Sequence, residues 1–253
     1  MKDVSLDFLS PSITEPQRPC SYLPEETASL VYRISAGMSE TALGEMLRRG
    51  WRRHGCHLFR PACPRCTKCR SLRVDVARFT PTKSQRRCRK RNADVNVFIR
   101  RPTVTIDHVR LYNAWHEDMT ERRGWRPSHT TIDDYADSFL AGQWESAREM
   151  LYLRNNRLVG VGLIDLVPDG LSSIYFYHDP AWRPLGPGTF SALQEIDLCR
   201  RTGRAFCYLG YCIAGCPSMS YKARFRPHQT LLRYVDDDEA PEWITEQETP
   251  LPK

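Results

Sequence analysis

Three cysteines at even spacing, Cys63-x2-Cys66-x2-Cys69, stand on a proline-rich stretch and offer three soft ligands to one centre. A tetrahedral site needs a fourth, for which Cys20 is the first candidate, with Cys88 and Cys56 behind it. Zinc there is structural, an iron–sulfur cluster is a redox or sensing group, and the same thiols also read as small buried hydrophobes. Further on, Lys83-Ser-Gln-Arg-Arg-Cys-Arg-Lys-Arg-Asn92 carries phosphate-binding forks from Arg86, Arg87 and Arg91 and point charges from Lys83 and Lys90. Gln85 and Asn92 add amides for sugar or base edges. With no aromatic for stacking, this run suits backbone contact with a folded RNA better than reading of single strands.

A second set of candidates lies in the C-terminal half. Ser172-Ser-Ile-Tyr-Phe-Tyr-His-Asp-Pro180 reads as a strand end whose alternation places Ser173, Tyr175 and Tyr177 on one face. Such residues line pockets, although a half-exposed strand with packed tyrosines is the plainer reading. The stretch from Tyr208 to Pro227 brings two glycines, Tyr211, Tyr221 and Lys222 together, a composition suited to close backbone approach and directed hydrogen bonds. Among the histidines only His178, beside Asp179, sits inside a motif. There is no Ser/His/Asp order, zinc-protease motif, dinucleotide fingerprint or P-loop.

Composition bounds these readings. The chain of 253 residues suits one large or two small domains with a real core. Its net charge is +7, but residues 48–91 hold sixteen Lys and Arg against one acid, Asp75, so that segment is +15 and the remainder −8. An asymmetry of this kind points to a polyanion, most simply nucleic acid, held on one face. Ten cysteines are too few for a disulfide scaffold in a chain of this length. With no long apolar run and no signal-type leader, the expectation is a cytoplasmic protein without membrane contact.

The elements that must position these groups are legible. Residues 1–24 carry scattered prolines and read as an irregular arm. Ser39–Arg49 has a helix cap and an apolar stripe closed by Gly50. Residues 51–59 and 71–79 are β-prone and joined by the cysteine loop, and a basic helix follows over 82–91. Val95–Ile106 reads as a strand broken at Arg100-Arg101-Pro102, and a soft domain boundary is set near Arg100, dividing the chain into 1–100 and 101–253. Helical spacing follows, with a capped start at Thr131. Then come a hairpin over 150–166 turning at Asn155-Asn156, a strand at 171–178, an amphipathic helix at 188–202 and a strand at 206–211. The class is mixed α/β, or α+β.

Several stretches in order resemble one family. Tyr175-Phe-Tyr-His-Asp-Pro, Gly188-Thr-Phe-Ser-Ala-Leu-Gln-Glu-Ile, Tyr208-Leu-Gly-Tyr and Met219-Ser-Tyr-Lys-Ala-Arg-Phe-Arg-Pro are similar to the C-terminal part of the arginyl-tRNA–protein transferases. Gly50-Trp-Arg-Arg-His-Gly, Phe59-Arg-Pro and Phe79-Thr-Pro-Thr-Lys-Ser-Gln-Arg-Arg resemble their N-terminal part. The resemblance implies a C-terminal domain like the GCN5-type N-acetyltransferases behind a smaller cysteine-containing domain. It also implies aminoacyl transfer from a charged tRNA to a protein's α-amine, marking that protein for degradation. The compact length and the Arg60–Cys69 loop are most like the short bacterial branch, which transfers leucine to N-terminal Asp or Glu. The longer eukaryotic branch transfers arginine and carries a Cys-x2-Cys near its start, where this chain has Leu23 in place of the second cysteine.

On that resemblance Arg52, Arg53 and the 83–92 run become the contact for the tRNA acceptor arm. Asp179 is expected to orient or deprotonate the amine, and Tyr175, Tyr177 and Tyr208 to stabilise the tetrahedral oxygen or hold the terminal adenosine. Ser173, Tyr211 and Tyr221 join the substrate pocket, where Lys222, Arg224 or Arg226 would pair with the acceptor's carboxylate. Transfer itself calls for no cofactor, while Cys20, Cys63, Cys66 and Cys69 keep zinc or an iron–sulfur cluster open. The rival classes are arginine transfer, a non-catalytic RNA-binding adaptor, and an acetyl-coenzyme-A enzyme, whose pyrophosphate signature is missing.

Overall fold

The computed structural model describes residues 10–246. A four-stranded sheet is built from β1 (Ile13–Thr14), β2 (Leu30–Ile34), β3 (Arg52–His54) and β4 (His57–Pro61), in the order β1-β2-β4-β3. An eight-stranded mixed sheet follows. Its strands are β5 (Cys69–Asp75), β6 (Val95–Arg100), β7 (Ala147–Arg154), β8 (Arg157–Val167), β9 (Gly170–His178), β10 (Phe206–Ile213), β11 (His228–Leu231) and β12 (Trp243–Thr245). Their order is β12-β11-β5-β10-β9-β8-β7-β6. The longer helices are α1 (Glu40–Arg48), α2 (Lys83–Arg91), α3 (Ile106–Arg123), α4 (Ile132–Phe139) and α5 (Pro187–Arg201). The mixed α/β class expected from the sequence is the class observed. The expected division at residue 100 does not separate two sheets, because β5 and β6 both belong to the large one.

Local chemistry explains the main elements. Asn155 and Asn156 turn the β7–β8 hairpin with φ of 50° and 60°, the two positive values that a tight right-twisted hairpin needs. Thr82 and Thr131 open α2 and α4 with reciprocal capping boxes to Gln85 and Asp134. On one face of the large sheet, Phe190, Leu193 and Ile196 of α5 and Cys88 of α2 pack against Leu72, Val74, Ile164 and Leu171. The other face is covered by α3 and α4, through Val109, Leu111, Tyr135 and Phe139, and by α1, through Leu43, Met46 and Leu47. A sheet buried on both faces gives three layers around two apolar seams.

Two departures from regular pairing create a cleft. Strands β9 and β10 run parallel but pair only from Gly170↔Phe206 to Ser172↔Tyr208, and beyond Ser172 they part. A bulge also interrupts β9, where Leu163 faces Tyr175 but Ile164 faces Ser173, leaving Ile174 as the extra residue. The bulge overturns the expectation that Ser173, Tyr175 and Tyr177 share one face. Ser173 turns toward α5, and Tyr175 and Tyr177 turn toward α3 and α4.

Candidate active site

The cleft between the parted strands holds a cavity of about 690 Å³. Its floor is made by Arg52 of β3, Ser173 of β9, Ser191 and Glu195 of α5, Gly210 of β10, and Tyr221 and Lys222 of the turn after β10. The Ser173 carbonyl, freed where β9 leaves β10, accepts from Arg52 Nη2. Gly210 has φ +87°, and a Cβ there would lie 3.5 Å from both Arg52 Nη2 and Lys222 Nζ. Glycine thus lets the backbone carry two cations close together. Lys222 Nζ donates to the Tyr211 carbonyl at 3.0 Å.

Glu195 is the acid among these cations. It is 2% exposed, its Oε1 accepts from Ser173 Oγ at 3.1 Å and Ser191 Oγ at 3.3 Å, and its Oε2 has no protein partner. Burial pushes its carboxyl up to about 7 against the pull of the two hydroxyls and of Arg52 and Lys222. Burial and the Arg52 guanidinium bring the Lys222 ammonium down to about 8. An acid and a base both moved toward neutrality in one cavity are the usual endowment of a proton-transfer site. Glu195 was not singled out from the sequence, where it reads as one more helical residue. Its signal was an acid at a position where the helical period of α5 demands an apolar one.

The residues expected from the sequence divide. Ser173, Tyr175, Tyr211, Tyr221 and Lys222 line the cavity, and so does Arg52, which was expected to meet RNA on the surface. Asp179 is absent from the lining. It caps the turn after β9, with Oδ1 accepting from Ala181 N at 2.9 Å and Oδ2 pairing with Arg157 at 3.1 Å. Tyr177 is fully buried with its hydroxyl 2.7 Å from that of Tyr135, and the Tyr208 hydroxyl accepts from Arg73 at 3.1 Å in a separate seam. Arg224 and Arg226 also lie outside the lining. The Arg224 carbonyl is held by Gln85, and Arg226 Nε donates to the Ala223 carbonyl.

The basic segment divides in the same way. Lys83, Arg86, Arg87, Lys90 and Arg91 are exposed on α2. Gln85 is buried as the partner in its capping box, Asn92 is 1% exposed, and Arg53 is 5% exposed in a two-pronged pair with Asp165 at 2.8 and 2.9 Å. These three hold the fold and present nothing to a polyanion. The exposed cations sit beside the start of α5. Cys88 Sγ is 3.4 Å from the Gly186 carbonyl, and Arg91 Nη2 would lie 3.9 Å from a Cβ on Gly186. No side chain caps α5, whose first residue, Pro187, has no N–H to satisfy, and Gly188 in that turn lines the cavity.

Cys20, Cys63 and Cys69 line the same cavity, whereas Cys66 does not. Burial, and then the neighbouring thiols of Cys63, Cys20, Cys66 and Cys216, push the Cys69 thiol up to about 12. The cysteines are therefore gathered in one region. Among the described residues, however, no three His, Cys, Asp or Glu side chains are grouped so as to hold a metal ion.

Comparison with known proteins decides the family. Residues 18–87 match the family described as "Arginine-tRNA-protein transferase, N terminus", and residues 107–232 match its "C terminus" counterpart. The chain belongs to the arginine-tRNA–protein transferase family. A relative from Helicobacter hepaticus, named aspartate/glutamate leucyltransferase, is 34% identical over 88% of this chain and 93% of its own. Relatives of the same name from Aeromonas salmonicida and Halorhodospira halophila are 34% and 35% identical, covering 86% and 83% of this chain and 90% and 89% of theirs. Among solved structures, the chain is similar to FemX at a TM-score of 0.46 and 7% identity, over 79% of this chain and 80% of that one. It is also similar to the ribosomal-protein-S18-alanine N-acetyltransferase of Escherichia coli, at a TM-score of 0.29 and 18% identity, over 43% and 62%. No helix among the described residues is long and apolar enough to cross a membrane.

Proposed function

We propose that this chain transfers leucine from leucyl-tRNA to the N-terminal Asp or Glu of proteins in the cytoplasm, marking them for degradation. The observation that carries the reading is the pair of cations, buried Arg52 and half-buried Lys222, on the floor of a cavity bordered at Gly188 by the start of α5, against which α2 packs through Cys88 while its basic face stays exposed. Relatives that match nearly the full chain are named for this activity.

The tRNA acceptor phosphates lie on Lys83, Arg86, Arg87, Lys90 and Arg91, beside the start of α5. The charged ribose end then enters the cavity past Gly188. Trp115, Met119, Phe176 and Ala192 give that space an apolar wall for the leucyl side chain. The acceptor's acidic side chain meets Lys222, which replaces the solvation lost on entry. Because the ester is already activated by its ribose leaving group, holding the amine nitrogen against the carbonyl carbon supplies much of the rate, and transfer draws on no cofactor.

The test offers leucyl-tRNA and arginyl-tRNA as donors to peptides beginning with Asp, Glu or Arg. Leucine should reach the Asp and Glu peptides alone. Arginine as the preferred donor group, or equal labelling of the Arg peptide, would overturn the assignment.

A further inference from the structure

Glu195 presents one occupied and one free oxygen. Two hydroxyls, from Ser173 and Ser191, fix Oε1, while buried Oε2 has no protein partner although the side chain lines the cavity. A buried carboxylate oxygen left without a donor is costly, and a substrate N–H is the group that would satisfy it. Asp179, the acid expected from the sequence to handle the amine, has both oxygens engaged outside the cavity.

We propose that Glu195 is the catalytic proton acceptor of the transfer, with Ser173 and Ser191 as its positioning residues. The role rests on the transfer reading above. The acceptor enters as a neutral amine, and its nitrogen forms the C–N bond to the leucyl carbonyl carbon. Oε2 takes the proton that the nitrogen sheds, and as the ester C–O bond breaks it returns that proton to the departing ribose oxygen. Glu195 ends each cycle as the carboxylate it began as, and nothing is oxidised or reduced.

Groups from every neighbouring element act on this acid. Arg52 of β3 and Lys222 of the turn after β10 favour its ionised form. Tyr221, Tyr152 of β7 and Cys207 of β10 also lie within its electrostatic reach. The hydroxyls of Ser173 and Ser191 hold it down.

The experiment measures leucine transfer to an Asp-starting peptide from about pH 5.5 to about pH 9, a span that covers the carboxyl and the peptide's own amine. The unaltered chain should show an acid limb near 7 beneath the amine's ionisation. Glu195→Gln should lose about 10²- to 10⁴-fold in kcat/KM. It should also lose that limb while still binding leucyl-tRNA. Ser173→Ala removes a donor to the carboxylate and should move the limb to higher pH. Absence of transfer by the unaltered chain removes the transfer reading and this role with it. A Gln variant within about threefold of the unaltered chain with the same acid limb removes Glu195 alone, and so does a Ser173→Ala limb that stays in place.

Discussion

Trp182 Nε1 donates to Asn92 Oδ1 at 2.7 Å, while Asn92 Nδ2 donates to the carbonyls of Cys88 and Leu185, each at 2.9 Å. One buried amide thereby bolts the end of the basic helix α2 to the turn that feeds α5, fixing the phosphate-facing side chains relative to the cavity. Asn92→Ala strands an indole N–H and leaves the Leu185 carbonyl only the weak Cys88 thiol as donor, so the expected loss of stability is about 2–4 kcal/mol by denaturant midpoint. An unchanged midpoint would show that the amide does not hold the two elements together.

Removing the exposed cations of the same helix should do the opposite. Arg87, Lys90 and Arg91 changed together to Ala should leave stability within about 1 kcal/mol. Affinity for tRNA should fall, and the dependence of log K on log salt should flatten by roughly 0.7–0.9 for each phosphate that is no longer neutralised. A steep, unaltered salt slope would place the RNA on another surface.

These two outcomes mark what was legible in the sequence. The class, the hairpin at Asn155-Asn156, the capped helices and the cationic run were visible because each depends on residues close in the chain. Side-chain direction was not. Asn92 and Arg86 both read as RNA contacts on paper, but helical phase buries one and exposes the other. Asp179, expected from the resemblance to orient or deprotonate the amine, caps the turn after β9. Glu195 went unmarked because its meaning comes from Arg52 of β3 and Lys222 of the turn after β10, which only the fold brings to it. The bulge at Ile174, which sends Ser173 to one face and Tyr175 to the other, leaves no local trace.

Arg53, also expected on the RNA-facing surface, predicts a purely structural phenotype. Its guanidinium meets both oxygens of Asp165, which also accepts from Ser146 Oγ at 2.8 Å, and it lies over the Trp144 ring. Asp165→Ala leaves an uncompensated buried cation and should cost about 3–5 kcal/mol. Activity per folded molecule should stay near that of the unaltered chain, and a stability loss well below that range would mean water reaches the pair.

Lys222 should set recognition of the acidic side chain. Because its ammonium titrates at about 8, the cation is present below that pH and lost above it. KM for an Asp-starting peptide should therefore rise on the alkaline side. Lys222→Met should raise KM about 10- to 100-fold, the worth of a hydrogen bond to a charged group, and abolish that alkaline rise. A variant with ordinary KM would move carboxylate recognition away from the cavity floor.

Glu195 should leave a signature in stability as well as in rate. Its folded value of about 7 lies above the ordinary 4.5, so between these values the folded chain holds a proton that the unfolded chain releases. Stability attached to this residue is full below 4.5, declines as pH rises through the window, and is gone above about 7. The decline is on the order of 3 kcal/mol, with screening and relaxation both reducing it. Glu195→Gln cannot titrate, so the variant should match the unaltered chain most nearly at about pH 5 and gain on it by about pH 8, by several degrees in Tm for a chain of this size. Lys222 is at about 8 in the unaltered chain, where the Glu195 carboxylate supports its ammonium, and lower in the variant, which takes back part of the variant's gain. Two Tm–pH curves running parallel across the window would show that Glu195 does not carry its charge in a buried site.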